Sequence, residues 1–189
     1  MNIHSAHDKP PLFTADTHFG HMQALFAFDR HFDGLYAMNK VMIDNWNSVV
    51  GPDRVVYHIG DFGFWNVQDL TKIFMALNGH KILIVGNNDC EQTLRLPWVD
   101  RIKSLRISVE GQEIFMSHHP RKNNKRRTGV WYLHGHQHCI GQRLLDVGVD
   151  CWDFFPVTFE QIKEVHEGRL RGRTGTREVW NHDNPNNSG

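Results

Sequence analysis

Short apolar runs alternate with polar segments along this chain, and five of the runs end just before side chains that can bind a metal. Each run is four to seven residues long and rich in β-branched or aromatic side chains, which is typical of a buried strand. The runs and the residues that follow them are PLFTA before Asp16 and His18, RVVYHIG before Asp61, KILIVG before Asn87, EIFMS before His118, and WYLHG before His136 and His138.

Apolar residues at helical spacing predict two helices between the early strands, over 38–50 and 67–77. A further helix is predicted near 158–166, where Thr158 is a suitable N-cap and Gln161 follows three residues later. After residue 100 the pattern changes, and it predicts successive strands over 104–109, 113–117, 130–133 and 144–149. Helix–strand alternation followed by strands is typical of two sheets packed together and covered by helices.

The metal-binding side chains after the apolar runs are expected to converge on one edge of the fold. Neighbouring strand ends lie close together, and ligand sites in open α/β sheets form beyond the carboxyl ends of the strands. Seven oxygen and nitrogen donors are more than one ion with an open position requires. They suit two ions roughly 3.5–4 Å apart that share a bridging carboxylate, an arrangement used for in-line displacement at phosphorus.

Composition restricts the class of protein but not its substrate. Of 189 residues, 40% are hydrophobic and 22% charged, so we expect one globular domain over 1–167. The polar segment over 168–189 is predicted to be a flexible tail. The formal net charge is zero and no apolar stretch has the length of a membrane-spanning helix, so no membrane partner is expected. Three cysteines without CxxC spacing indicate a reduced, cytoplasmic protein.

The order of the motifs is more specific than any single motif. D-T-H, G-D, G-N-x-D, a strand-end histidine and G-H-x-H follow one another in the phrases TADTHFGH, VVYHIGDFGFW, LNGHKILIVGNND, SHHP, LHGHQH and DVGVDCWD. From residue 12 to about residue 164 the chain resembles the calcineurin-like metallophosphoesterase superfamily, and within it a small bacterial and phage subgroup. The resemblance implies an α/β fold, a four-layer α/β/β/α sandwich of two mixed sheets with a dinuclear metal centre at its edge.

The resemblance also implies which residue binds which metal. Asp61 would bridge the two ions, the first ion would be bound by Asp16, His18 and His138, and the second by Asn87, His118 and His136. Carboxylate, amide and imidazole donors without a thiolate favour two divalent ions of Mn, Fe, Ni or Zn, with Mn preferred. A water shared by the ions would become hydroxide near neutral pH and attack phosphorus. Glycines at 60, 86 and 135 fit turns where the backbone must approach the metals closely.

One position departs from the family pattern, in which G-N-H-D supplies a histidine that protonates the leaving group. This chain has Asn88 there, and an amide is not a useful proton donor. General acid catalysis is worth about 10²–10⁴-fold, so either His21 or His119 supplies the proton, or the substrates have good leaving groups, or activity is weakened. His119 is also an alternative metal ligand to His118. We prefer His118 because it directly follows the apolar run. Asp89 is expected to support the ligand loop rather than bind metal.

A dense basic run over 121–127 follows His118, and five of its seven residues are cationic. It is either a solvated loop or a loop that steers anionic substrates through Arg121, Lys125 and Arg126.

An aromatic cluster follows Asp61, formed by Phe62, Phe64 and Trp65. Core packing is its expected role, and a wall that stacks a ring of the substrate is the alternative.

Together these features predict a dinuclear, metal-dependent phosphoesterase acting on phosphodiesters or nucleotide-type phosphoesters. Two alternatives stay open. One is a metal-binding module of the same fold with lost or weak catalysis, suggested by Asn88, and the other is a nuclease, suggested by the basic run. The neutral overall charge disfavours a large nucleic-acid footprint.

Overall fold

The computed structural model of the chain describes residues 9–122, 125, 127–140 and 145–168. Arg126 and the predicted tail beyond Gly168 therefore lie outside the described residues. Within them the chain forms a mixed α/β fold of two mixed sheets flanked by helices, as the resemblance implied. None of the helices in these ranges is both long enough and apolar enough to cross a membrane.

The first sheet contains the strands that precede the early metal-binding motifs. Its strands are β1 (Leu12–Thr14), β2 (Val55–His58), β3 (His80–Ile84), β4 (Asp100–Ile102) and, from the end of the chain, β8 (Val157–Thr158). They lie in the order β4-β3-β2-β1-β8, with the first four parallel and β8 antiparallel to β1. The helices between these strands are α1 (Met22–Ala27), α2 (Leu35–Val49), α3 (Val67–Ala76) and α4 (Glu91–Leu94).

The second sheet has three strands, β5 (Ser104–Val109), β6 (Gln112–Ser117) and β7 (Val130–Leu133). β5 and β6 are antiparallel, whereas β6 and β7 are parallel. The final helix, α5 (Phe159–His166), starts at Thr158, whose hydroxyl accepts from the backbone of Gln161 while the Gln161 side chain accepts in return. This reciprocal capping confirms the start of α5 that the sequence predicted.

Alternation along the strands of the first sheet divides its side chains between two cores. Leu12 lies in a core shared with helices α2 and α3, which includes the buried Trp46. The next residue, Phe13, lies in the core between the two sheets, together with Met116 of β6. α5 joins the inter-sheet core through Phe159. The continuous apolar runs of β1, β2 and β3 follow from this burial on both faces.

The predicted strand over 144–149 is wrong in the part of it that the structure describes. Asp146 and Gly148 form only isolated bridges, to the end of β7 and to the residue after β1 respectively, and a 3₁₀ turn follows at Val149–Cys151. Val147 lies in the inter-sheet core and Val149 in the helix-side core. The segment passes from one core to the other, so its apolar residues are buried although it forms no strand. Its spacing of apolar residues therefore resembles that of a strand.

Candidate metal centre

The segments that leave β1 and β2 run side by side beyond the sheet. The backbone N–H groups of Asp16 and His18 donate to the carbonyls of Gly60 and Asp61 at 2.9 and 3.1 Å. Since β3 is parallel to β2, Asn87 leaves at the same edge. The sequence-based prediction that these strand ends meet is therefore confirmed.

Two groups of potential ligand atoms occur here among the described residues, and in each the atoms lie within 4.8 Å of one another. The first group is Asp16, His18 and His138, and the second is Asp16, Asp61 and His118. Asn87 adds an amide oxygen beside the second group, with Oδ1 3.0 Å from Nε2 of His118. The structure thus brings six of the seven predicted ligands together, from both sheets.

Two carboxylates lie between the groups. Oδ2 of Asp61 is 3.8 Å from Nε2 of His18 and 3.4 Å from Nε2 of His118, so it faces both sets. Its role as a bridge between two ions stays a prediction. Asp16 belongs to both groups, and nothing in the sequence indicated that sharing.

The residues present fit a metal on an independent criterion. Oδ1 of Asp16 and Nε2 of His18 are buried and have no hydrogen-bond partner within the described part of the chain. Burial raises the pKa of Asp16 well above its usual range. Buried polar atoms without partners are costly and rare. A divalent cation would satisfy both atoms at once.

Hydrogen bonds on the far side of two imidazoles orient them for a metal. Nδ1 of His118 lies 2.9 Å from the carbonyl of Ile59, and Nδ1 of His138 lies 2.7 Å from Oδ2 of Asp150. In each ring Nδ1–H donates to that oxygen, which leaves Nε2 as the atom that can bind a cation.

Five of the predicted ligands have a backbone in the left-handed region. The φ angles are 57° at Asp16, 50° at His18, 59° at Asp61, 70° at His136 and 46° at His138. Residues other than glycine adopt this conformation infrequently, and such strain clusters at functional sites. These angles turn the chain sharply out of each strand, so that the side chains face one another.

Glycines allow the backbone to approach the two carboxylates. A Cβ added at Gly86 would lie 2.3 Å from Oδ1 of Asp61, and one at Gly135 would lie 2.4 Å from Oδ2 of Asp16. Both contacts are shorter than a side chain tolerates. The backbone at these glycines therefore lies close to predicted ligands, and the predicted approach to the metals themselves stays a prediction.

A buried ion pair that sequence reasoning missed supports the first group. Arg30 is 4% exposed and donates to both carboxylate oxygens of Asp150 at 2.8 and 2.9 Å. It also donates to the carbonyls of Asp16 and Thr17 at 2.6 and 2.9 Å. Although burial alone would raise the pKa of Asp150, Arg30 and the imidazole of His138 hold it at about 2. The pair therefore anchors both the D-T-H loop and a ligand imidazole.

Asp89 holds the backbone of the loops that carry Asp61 and Asn87. Its Oδ2 accepts from the N–H groups of Asp61 and Gly86 at 3.0 and 2.7 Å, and its Oδ1 accepts from Phe62 at 2.9 Å. The prediction that Asp89 supports the loop is confirmed.

Asn88 lies directly on the carboxylate of Asp61. Its backbone N–H donates to Oδ1 at 2.8 Å, and its side-chain amide donates to Oδ2 at 2.7 Å. Burial would raise the pKa of Asp61, but the neighbouring imidazole of His118 and the hydrogen bonds from Asn88 lower it below its usual range. Asn88 thus fixes Asp61 in place, at the position where the family pattern has its acid.

The two histidines predicted as alternative proton donors lie beside different groups. Nδ1 of His21 is 3.2 Å from Nδ1 of His18 in the first group. The exposed ring of His119 lies 5.2 Å from that of His118 and 4.2 Å from that of His136. His118, rather than His119, supplies an atom to the second group.

His136 is the predicted histidine ligand that belongs to neither group. Its ring is exposed, and its backbone N–H donates to Oδ2 of Asp16 at 2.8 Å. Its ring lies 5.2 Å from that of His118. It therefore borders the second group, and its role as a ligand stays a prediction.

The described contacts of the basic run are with rings of the second sheet and within the run itself. The guanidinium of Arg121 lies 4.9 Å from the ring centre of Phe115 and 5.9 Å from that of Tyr132, and its Nε donates to the carbonyl of Lys125. Both rings lie on the face of the second sheet that points away from the first. Arg126 lies outside the described residues. Substrate steering by this run stays a prediction.

Comparison with known proteins finds relatives over most of the chain. An uncharacterized protein of Methanocaldococcus jannaschii is 25% identical over 169 residues, which cover 82% of this chain and 91% of that protein. The Gene 66 protein of Mycobacterium phage L5 is 25% identical over 197 residues, with 82% and 95% covered. No family model matches.

A solved structure, a protein of unknown function from Aquifex aeolicus, has a TM-score of 0.67 at 23% identity and covers 82% of this chain and 98% of its own. That likeness shows the fold alone. A predicted phosphoesterase from Streptococcus pneumoniae and a phosphoesterase from E. coli give TM-scores of 0.37 and 0.33 at 13% and 18% identity. They cover 69% and 67% of this chain, and 63% and 69% of their own. These scores are too low to carry an argument. Fold and site together define an α/β protein with candidate metal-binding groups at a sheet edge.

Proposed function

We propose that this protein is a metal-dependent phosphoesterase that hydrolyses phosphodiesters or nucleotide-type phosphoesters. The proposal is carried by one observation, the two groups of oxygen and nitrogen donors at one edge of the fold, which share Asp16 and lie on either side of Asp61. The ordered set of motifs from D-T-H to G-H-x-H supports the same class of reaction.

Two divalent cations in this place would supply Lewis acidity toward the phosphoryl oxygens and a water of lowered pKa. The donors contain no thiolate, which favours Mn, Fe, Ni or Zn, and we propose Mn first. The residues that would hold the ions are Asp16, His18 and His138 for the first, Asn87, His118 and His136 for the second, and Asp61 between them.

The chain's own residues orient these donors and move a proton. Arg30 and Asp150 fix the imidazole of His138, while Asn88 fixes Asp61. His21 and His119 are the imidazoles next to the groups that can deliver a proton to the leaving oxygen. Because His21 lies beside the first group and His119 beside the second, substitution of each histidine separately identifies the proton donor.

One observation favours a second candidate, a metal-binding module with weak catalysis. The residue at the place of the family's acid is an amide already bonded to Asp61. Such a protein would bind the same ions but turn over only esters with good leaving groups, or none.

The test uses the full chain stripped with a chelator and reloaded with Mn. We expect two ions per chain and hydrolysis of bis(p-nitrophenyl) phosphate that depends on the added metal. Asp61→Asn should lose at least one ion and the activity, because the carboxylate proposed to bridge the ions is removed. Asp44→Asn, which alters an exposed carboxylate on α2 paired with Lys40, is the matched control and should behave as wild type. Full metal occupancy and normal turnover in Asp61→Asn would contradict the proposal, as would a wild type that binds no ion.

A further inference from the structure

An aromatic shelf lies beside the first group of ligands, and we define it as His21, Phe64 and Trp65. The ring of His21 is 5.3 Å from that of His18, and the ring of Phe64 is 5.5 Å from that of His21. Phe64 is 56% exposed and Trp65 is 40% exposed. The shelf therefore leads from a ligand imidazole outward to solvent.

Only one member of the aromatic cluster after Asp61 is explained by core packing. Phe62 is fully buried in the helix-side core, as the sequence led us to expect. Phe64 and Trp65 instead present large apolar area to water. Single exposed apolar residues are ordinary, but adjacent exposed rings beside a polar site mark a binding surface.

The backbone under the shelf is tied to the D-T-H loop. Phe19 donates its N–H to the carbonyl of Phe62 at 2.9 Å, and Phe64 donates to the carbonyl of Phe19 at 2.9 Å. Trp65 packs against Gly20, where an added Cβ would come within 2.6 Å of the indole. The two exposed rings are therefore held on the same framework as His18. A partner ring would bind them without the cost of ordering a loop.

We propose that the aromatic shelf binds a planar ring carried by the substrate, so that the protein prefers phosphoesters of nucleotide type over esters without a base. This inference rests on the proposed function, because it needs the phosphoryl group at the metal centre. From His18 the shelf reaches Phe64 in two ring-to-ring steps of 5.3 and 5.5 Å. A sugar between phosphate and base spans a separation of the same order.

The experiment measures binding rather than turnover. Calorimetry on the Mn-loaded protein compares phosphonate analogues of adenosine 5′-monophosphate and of ribose 5-phosphate, whose carbon–phosphorus bond prevents hydrolysis. The two probes share the sugar and the phosphonate, and the second has a hydroxyl group in place of the base. Since stacking of one base on an aromatic side chain is worth roughly tenfold in affinity, the analogue with the base should bind about tenfold more tightly.

Variants of the shelf locate the effect. Phe64→Ala should reduce the ratio of the two affinities to about one, and Trp65→Ala should reduce it in part. Phe64→Leu keeps apolar bulk without a ring, so it should also lose most of the preference. Tyr36→Ala, at an 82% exposed aromatic on α2, is the control and should keep the wild-type ratio.

The outcomes separate this inference from the proposed function. Equal affinity for both probes in the wild type overturns the shelf, as does a preference that survives both Phe64→Ala and Trp65→Ala. Metal-dependent hydrolysis of bis(p-nitrophenyl) phosphate tests the proposed function alone. If the protein hydrolyses the ester but shows no base preference, only the shelf is rejected. If the protein shows a base preference that Phe64→Ala abolishes but hydrolyses no ester, the shelf is supported and the proposed enzyme activity is rejected.

Discussion

Asn88 is the residue at which this chain departs from the chemistry of its own motifs. Without an acid at that place, the rate should depend steeply on the pKa of the leaving group. We predict a higher kcat for nitrophenyl esters than for alkyl or nucleoside esters, even where a base improves binding. Asn88→His should favour the poor leaving groups selectively, by up to about 10²-fold, because it restores a proton donor. Steady-state rates across esters of graded leaving-group pKa measure this.

A matched variant separates proton transfer from positioning. Asn88→Ala removes the hydrogen bond from the side-chain amide to Asp61 without adding an acid. It should therefore not raise the rate of hydrolysis of any ester. If the wild type already cleaves alkyl esters as readily as nitrophenyl ones, another acid is present. His21→Ala and His119→Ala then identify it, and the variant that loses only the poor leaving groups marks the donor.

Asp150 gives a second prediction at the residue scale. It accepts from Nδ1 of His138 and is itself held by Arg30. Loss of such a partner typically weakens metal binding by about 10–100-fold. We therefore expect Asp150→Asn to lower affinity at the first metal position by that factor, measured by competition with a chelator, and to leave the second position nearly unchanged. Equal weakening of both positions would show a general loss of structure instead.

Residues next to apolar runs were predictable, and residues fixed by distant contacts were not. Asp16, His18 and Asp61 follow strands directly, so their shared location follows from the geometry of a parallel sheet. Arg30 and Asp150 are separated by 120 positions and contact each other only in the fold. No local period or spacing encodes that pair, although the phrase DVGVD contained one half of it.

At the scale of elements, length and burial decided which predictions succeeded. The helices α2 and α3 were predictable because each buries one long apolar face. The segment over 144–149 misled because its buried residues belong to two different cores. Short elements such as α1 and β4 carry too few residues to show a period, and they depend on the contacts around them.

Strand β3 carries a buried lysine, and this makes stability depend on pH. Lys81 is 7% exposed, donates to the carbonyls of Leu77 and Gly79, and lies 4.5 Å from the ring centre of Phe74. Burial lowers its pKa to about 8, whereas an unfolded chain keeps the proton to about pH 10.4. Between these values the folded state has lost a proton that the unfolded state retains. Raising the pH through this window therefore favours folding.

Lys81→Met should remove that dependence while retaining the length of the side chain. Both proteins are measured with a chelator present. Between pH 8 and 10 the free energy of unfolding of the wild type should rise relative to that of Lys81→Met, by at most about 1.4 kcal/mol per pH unit. Lys72→Met, at an exposed position on α3, is the control and should follow the wild type. Parallel curves for the wild type and Lys81→Met would contradict the prediction. Urea titrations at a series of pH values provide the measurement.

At the scale of the whole molecule, the candidate centre joins the two sheets. Asp16 and Asp61 leave the first sheet and His118 leaves the second, yet their atoms lie in one group. An ion bound only by the folded chain stabilises it by about 2.7 kcal/mol at a hundredfold excess over the dissociation constant. For a chain of this size that corresponds to roughly 5–10 °C in Tm.

We therefore predict that saturating Mn raises the Tm of the chelator-treated protein by about 5–10 °C in a thermal scan. Asp16→Asn should show little of this rise, because Asp16 belongs to both groups. Asp44→Asn should show all of it. A Tm that does not respond to any of Mn, Fe, Ni or Zn would mean that the centre holds no ion of this class.

The left-handed backbone at Asp16, His18, Asp61, His136 and His138 bears on the history of this chain. A lineage selected for folding alone would replace such residues with glycine or asparagine, which adopt this conformation more readily. All five places instead carry aspartate or histidine, side chains that can bind a metal and that also tolerate this backbone better than most residues do. We therefore expect related sequences that have lost metal binding to carry glycine or asparagine at several of these places.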